Sequence, residues 1–253
     1  MKTSLLLPKS IFLFILVMVT TATFVKGQVI ISANTNWSAI SPTPTNATTI
    51  EVRNGATLTV NVTNAVCASI QIGATASPGN FGVLTFSGAN AQLTVSGTIQ
   101  VGGFGNTARS GTITFTSGST LIGDALVIGN TGATPGELNI VTMTAGGTLT
   151  VNSITFNANN DDNTITQGAS STVTVNGPVT INQPSANTTN NNWNVNSGSA
   201  TVSGLITLAG TNTTTSRDGS LVITTGTLNA DGGIAIAGTT AATKNITMTG
   251  TSS

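Results

Sequence analysis

The chain is written in short runs in which apolar and polar residues alternate. Across residues 147–156, G-T-L-T-V-N-S-I-T-F, two such runs lie head to tail. Leu149 and Val151 share one side of the first run, and Thr148 and Thr150 share the other. Ile154 and Phe156 share one side of the second, and Ser153 and Thr155 the other. A period of two places alternate side chains on opposite faces of a β-strand. Each run therefore predicts a strand with one apolar and one polar face.

The double run recurs along most of the chain, in coils that begin near Ile50, Phe81, Gly111, Glu137, Thr164, Trp193, Ser220 and Ile246. Its second member predicts the inward pairs Ile70/Ile72, Ile99/Val101, Leu126/Ile128, Ile154/Phe156, Val179/Ile181, Ile206/Leu208 and Ile234/Ile236. All are apolar, and successive pairs recur at the roughly 27-residue period that marks a solenoid. The first member gives a weaker inward column: Leu58/Val60, Leu93/Val95, Thr120/Ile122, Leu149/Val151, Val173/Val175, Ala200/Val202 and Gly226/Leu228. A third run precedes it, as in Ile50-Glu-Val, Val83-Leu-Thr-Phe, Thr112-Ile-Thr-Phe and Thr164-Ile-Thr.

Three short strands per coil, with Gly, Asn and Ser at the corners, predict an all-β fold. The expected architecture is a single-stranded, right-handed parallel β-helix of three sheets and about seven coils. The hand follows from the strong right-handed preference of parallel β crossovers. An antiparallel sandwich shares the strand spacing but does not require the long repeat.

The repeat divides the chain. Residues 50–253 form the expected β-helix. Residues 28–49 fall outside the repeat and are expected to form an N-terminal cap, with Trp37 over the open end of the core. Polar connections of variable length follow each third strand, at 73–80, 102–110, 129–136, 157–163, 182–192, 209–219 and 237–245. Residues 61–68 read as an insertion in the first coil. The chain stops inside an eighth coil, so further C-terminal repeats or a sorting domain are expected beyond Ser253.

Composition sharpens this reading. There is no His and no Tyr, a single Cys, and only 6% charged residues. Thr, Asn, Gly, Ser and aliphatic residues favour strands and turns over helices. The abundance of β-branched residues and the low net charge oppose disorder. At the N-terminus, Lys2 and Lys9 flank an apolar run over residues 11–19, and Val25-Lys26-Gly27 precedes Gln28. This describes a secretory signal peptide over residues 1–27, too short to span a membrane comfortably. The mature chain is thus expected to be secreted or held at the cell surface, with no membrane span. It keeps four basic and seven acidic side chains, which opposes a nucleic-acid partner. Cys67 has no internal disulfide partner and reads as a small buried apolar residue.

No catalytic, metal or cofactor constellation emerges. General acid–base chemistry uses His or paired carboxylates. Asp161 and Asp162 are adjacent, which points them apart, and read as a solvated turn. Asp218 and Asp231 precede glycines and fit turns. Gly102-Gly-Phe-Gly-Asn-Thr partly mimics a calcium-binding nonapeptide, but Thr107 stands where an Asp is needed. Its loose G-x-G-x-x-A spacing is followed by no helix that could hold a phosphate. Sequons at Asn46, Asn61, Asn187, Asn212 and Asn245 are expected from the Asn and Thr content. Trp193 is expected in the core or at a loop base.

One surface pattern stands out. The outward positions of the first run are expected to be Thr57/Thr59, Gln92/Thr94, Ser119/Leu121, Thr148/Thr150, Thr172/Thr174, Ser199/Thr201 and Thr225/Thr227. T-x-T arrays on β-solenoids resemble the ice-binding face of some antifreeze proteins. Threonine is also simply a good exposed strand former.

The phrases Gly55-Ala-Thr-Leu-Thr-Val, Gln92-Leu-Thr-Val-Ser-Gly-Thr-Ile-Gln-Val and Gly147-Thr-Leu-Thr-Val-Asn-Ser-Ile-Thr-Phe carry a wider likeness. Over about residues 50–250 the chain resembles secreted bacterial β-solenoid surface proteins, including adhesin-like repeat regions. The resemblance implies a non-catalytic structural or adhesive role, as a spacer or a fibre segment that meets carbohydrate, cell-surface protein or a solid surface. Pectin-cleaving enzymes share the fold, but they cluster charged residues on one outward face, and the expected outward positions here are mainly Thr, Ser, Gln and Ala.

Overall fold

The computed structural model describes residues 27–73, 81–103, 110–129, 137–158, 161–184, 189–210, 219–238 and 244–249. The expected signal peptide up to Lys26, the segment Phe104 to Arg109, Arg217, Asp218 and the sequons at Asn187 and Asn212 lie outside them.

The chain is an all-β parallel solenoid with three sheets. Among the described residues, sheet A holds nine strands, from Gln28–Ile31 through Ser153–Phe156 to Ile234–Ala237. Sheet B also holds nine, from Thr35–Asn36 through Leu138–Met143 to Lys244–Met248. Sheet C holds seven, from Ala65–Cys67 through Gly147–Val151 to Thr227–Ala230. From Thr49–Val52 onward the chain visits A, B and C in turn, so each internal strand pairs with its counterparts one coil before and one coil after.

The inward residues form in-register columns. In sheet A, Ile70, Ile99, Leu126, Ile154, Val179 and Ile206 follow one another from strand to strand. Beside them run Ile72, Val101, Ile128, Phe156, Ile181 and Leu208. All are fully buried. Fully burying one such side chain is worth about 1.5–3 kcal/mol. The alternation is what lets a strand of four residues bury two of them while two stay outside. In sheet B, Phe86 and Phe115 stack with ring centroids 5.3 Å apart. Further along, Trp193 is enclosed in the core, and its indole N–H donates to Gln167 Oε1 at 2.9 Å.

The first coil departs from the expected layout. Thr57–Val60 is a sheet B strand that pairs with Gly82–Phe86. Thr49–Val52, expected in the third-run column that became sheet B, lies in sheet A between Gln28–Ile31 and Ser69–Ile72. Residues 61–68 are not an insertion: they supply Ala65–Cys67, the first strand of sheet C, opposite Leu93 and Val95. Thr57-Leu-Thr-Val and Ala65-Val-Cys alternate alike, and only pairing with the next coil distinguishes them. Residues 28–49 add a strand to sheet A and a short one to sheet B, then a 3-10 turn at Trp37–Ala39 in which Trp37 is buried.

At the other end the columns run out of cover. Ile234 and Ile236 pair with Ile206 and Leu208, as their spacing predicts, but are 40% and 62% exposed. Ile246 and Met248 are 39% and 74% exposed.

The stack generates a direct test. Ile154→Asp places a carboxylate in the middle of a sheet A column and is expected to lower stability by about 3–5 kcal/mol. Thr155→Lys, one residue away on the outer face, is expected to change it by no more than about 0.5 kcal/mol. Urea unfolding of the two variants measures the contrast, and equal midpoints would contradict the assignment of faces.

Candidate functional site

Register decides which of the expected surface threonines share a face. On sheet C, one outward row runs Gln92, Thr120, Thr148, Thr172, Ser199, Thr227. The other runs Val66, Thr94, Ile122, Thr150, Thr174, Thr201, Asn229. Sheet C therefore gathers Thr94, Thr148, Thr150, Thr172, Thr174, Thr201 and Thr227. Three of the expected members lie elsewhere. Thr57 and Thr59 are on sheet B, and Thr225 is in the turn before Thr227–Ala230, where its hydroxyl donates to the Asn196 carbonyl.

One rung is turned by a residue relative to expectation. Leu121 is fully buried between Leu93 and Leu149, while Thr120 and Ile122 face outward. Ser119 is also fully buried; its hydroxyl donates to the Thr116 carbonyl at 2.7 Å. Thr120-Leu-Ile carries apolar residues in both parities, so its neighbours choose the face.

Sheet B carries the more regular array. Thr59, Thr85, Thr114, Thr142 and Thr166 stand opposite one another on five successive strands, preceded by Asn36 and followed by Asn194. The parallel outward row reads Thr57, Val83, Thr112, Ile140, Thr164. All ten side chains are half-buried strand positions of the outer face. Alternation alone hides this row, because the third run is recognised by its inward residues and Thr57 and Thr59 carry the alternation expected of another column. The signal was there: Thr stands just before the last inward residue in V-L-T-F, T-I-T-F, V-T-M and T-I-T-Q.

Polar chemistry also enters the core. Asn139, Asn163 and Asn191 open successive sheet B strands and are fully buried. The Gly111 N–H donates to Asn139 Oδ1 at 3.0 Å. Asn139 Nδ2 donates to Asn163 Oδ1 at 3.0 Å, and Asn163 Nδ2 to Asn191 Oδ1 at 2.7 Å. Asn191 Nδ2 then donates to the backbone carbonyls of Asn157 and Asn182. The carboxamides pass one donor and one acceptor along the axis, so each buried asparagine of the ladder finds partners for its side-chain amide. Gly129 sits against this ladder at φ 101°, and a Cβ there would lie 2.7 Å from Asn163 Nδ2.

Asp161 corrects an expectation. It is fully buried beside the ladder, with Asn139 Nδ2 3.4 Å from its Oδ2, and is no solvated turn. Asp162 does point away from it, accepting the Asn190 N–H at 2.7 Å. A second, exposed ladder joins Asp124, Asn152 and Asn176 at 2.9 and 3.2 Å. On sheet A, Arg53 lies 3.7 Å from Glu51, which also accepts from Gln28 Nε2 at 2.7 Å.

Two hollows mark the surface near the N-terminal coils. One, of about 270 Å³, is lined by Thr49, Ser69, Ile70, Gln71, Thr98 and Gln100. The other, of about 260 Å³, is lined by Trp37, Ser38, Thr43, Pro44, Val62, Asn64 and Val66. Neither lining includes an ionisable side chain. Among the described residues, no three His, Cys, Asp or Glu side chains group as metal ligands, and no helix is long and apolar enough to cross a membrane. No family model, curated protein or solved structure matches the chain.

Two measurements probe these polar and sulfur groups. Burial pushes the Cys67 thiol up from 9.0 to about 12. The fold accommodates the neutral thiol, so its contribution is intact below pH 9 and is lost as pH rises toward about 12. Iodoacetamide at pH 8 is expected to label Cys67 only after denaturation, and rapid labelling of the folded chain would contradict its enclosure. Asn163→Ala strands the Asn139 donor and the Asn191 acceptor, at an expected cost of about 1–3 kcal/mol. Asn152→Ala, in the exposed ladder, is expected to cost less in the same urea titration.

Proposed function

We propose that the chain is a non-catalytic structural or adhesive module of a secreted or cell-surface protein. It acts as a stiff spacer or a surface-binding fibre segment, and the partners it suits are carbohydrate, cell-surface protein or a solid surface. The observation that supports this reading is the uninterrupted stack itself. Nine successive strands in each of sheets A and B are bonded to their neighbours in register. At about 4.8 Å per strand, the stack spans about 40 Å along its axis. Bending it separates strands in at least one sheet, which makes the stack stiff for its size.

The outer faces suit contact better than chemistry. A β-helix that cleaves polysaccharide needs an acid–base pair, or a cluster of charges, over one outward column. The outward rows of sheets B and C described above are mainly Thr, Asn and aliphatic. Glu51 on sheet A is engaged by Arg53 and Gln28.

Incubation of the chain with a panel of soluble and insoluble polysaccharides tests the proposal. The expected result is no new reducing ends. Cleavage that disappears in Glu51→Gln, or in Asp162→Asn, would overturn it in favour of a lyase or hydrolase.

A further inference from the structure

We propose that Asn176 is a site of spontaneous covalent modification, where its carboxamide becomes a carboxylate by way of a cyclic imide with the Gly177 amide. This goes beyond the spacer reading and does not depend on it.

The inference starts from a pair of residues. Asn-Gly stands at Asn54-Gly55 and again at Asn176-Gly177. The backbone nitrogen after an asparagine can close a five-membered ring on its Cγ. A glycine there has no Cβ to hinder the approach. Sequence treats the two pairs alike, and both asparagines are exposed.

The attacking nitrogens differ. Asn54 and Gly55 make a tight turn at φ 59° and 76°, closed by the Ala56 N–H donating to the Arg53 carbonyl. The Gly55 N–H donates to the Phe81 carbonyl at 2.7 Å, so this nitrogen is already engaged.

At the corner between sheets C and A, one amide per coil donates to its counterpart in the coil before. Gly97 donates to Ala68, Asp124 to Gly97, Asn152 to Asp124 and Gly204 to Gly177. Register places Gly177 between Asn152 and Gly204 in this series. Yet its N–H has no partner among the described residues. The reason is a mismatch in length. Asn152 alone joins Gly147–Val151 to Ser153–Phe156, whereas Asn176, Gly177 and Pro178 join Ser171–Val175 to Val179–Asn182. Asn176 N–H takes the Val151 carbonyl, and Pro178 has no N–H to give. The Asn176 carboxamide is lightly held, its Nδ2 donating to Asn152 Oδ1 at 3.2 Å in the open.

The step needs only water and base. The Gly177 nitrogen loses its proton to base and attacks Asn176 Cγ. The Cγ–Nδ2 bond breaks, and ammonia leaves with a proton from solvent. Water then opens the imide at Cγ to give aspartate, or at the main-chain carbonyl to give isoaspartate, whose backbone is one methylene longer. The aspartate product sets a carboxylate oxygen against Asn152 Oδ1, acceptor to acceptor, in a ladder that already ends on Asp124.

The test is incubation of the folded chain in mildly alkaline buffer made with heavy-oxygen water, beside the same chain in urea. Digestion and mass spectrometry give the rate of label uptake at each Asn-Gly pair, and each folded rate is divided by its rate in urea. That ratio is expected to be about ten-fold higher at Asn176 than at Asn54, where a backbone hydrogen bond must break first. The proposal is overturned if the ratio at Asn54 equals or exceeds that at Asn176. It is equally overturned if Asn176 stays intact in the folded chain while it reacts in urea.

Discussion

Everything in this protein depends on parallel pairing between one coil and the next. Its strands are two to six residues long. A strand of that length has too few groups to stand alone, and a single coil has no interior of its own. The backbone N–H and C=O groups of the strands find their ladder partners one coil away, in each of three sheets. The aliphatic columns follow from that pairing, because a residue buried in one coil needs the equivalent residue above and below it. The buried asparagine ladder extends the same logic to a corner. At the start of three sheet B strands, Asn139, Asn163 and Asn191 add carboxamide pairing along the same axis to the backbone ladder.

This constraint explains what could be read from residues. The sheet A columns were legible because both inward members of each strand are apolar and the spacing hardly varies. A surprise remains at the last strand, where Ile234 and Ile236 have the expected register but little cover. The first coil was not legible in the same way. Two runs with the same alternation, Thr57–Val60 and Ala65–Cys67, belong to different sheets, and alternation carries no information about which neighbour a strand meets. Thr120-Leu-Ile failed for a related reason, as both of its faces offer an apolar residue.

The candidate surface was harder still. A face exists only once register is known, so the sheet C array lost Thr57, Thr59 and Thr225 while the sheet B row appeared from strands read for their other side. Asp161 shows the limit of composition as a guide. Within Asn-Asn-Asp-Asp it looks like solvated loop, yet it lies fully buried beside the asparagine ladder. Inward identity is held by packing and is hard to change. Outward identity is free of packing, which is where a surface function can be written on a solenoid without disturbing it.

Amide hydrogen exchange on the wild-type chain tests the shared stability of the coils most directly. If neighbouring coils hold one another, the ladder amides of Ala125–Ile128, Ser153–Phe156 and Val179–Asn182 exchange slowly and at similar rates, whatever their sequences. Those of Ile234–Ala237, whose inward side chains are exposed, exchange faster. Central strands that each exchange at an independent rate, or no more slowly than Ile234–Ala237, would contradict the account.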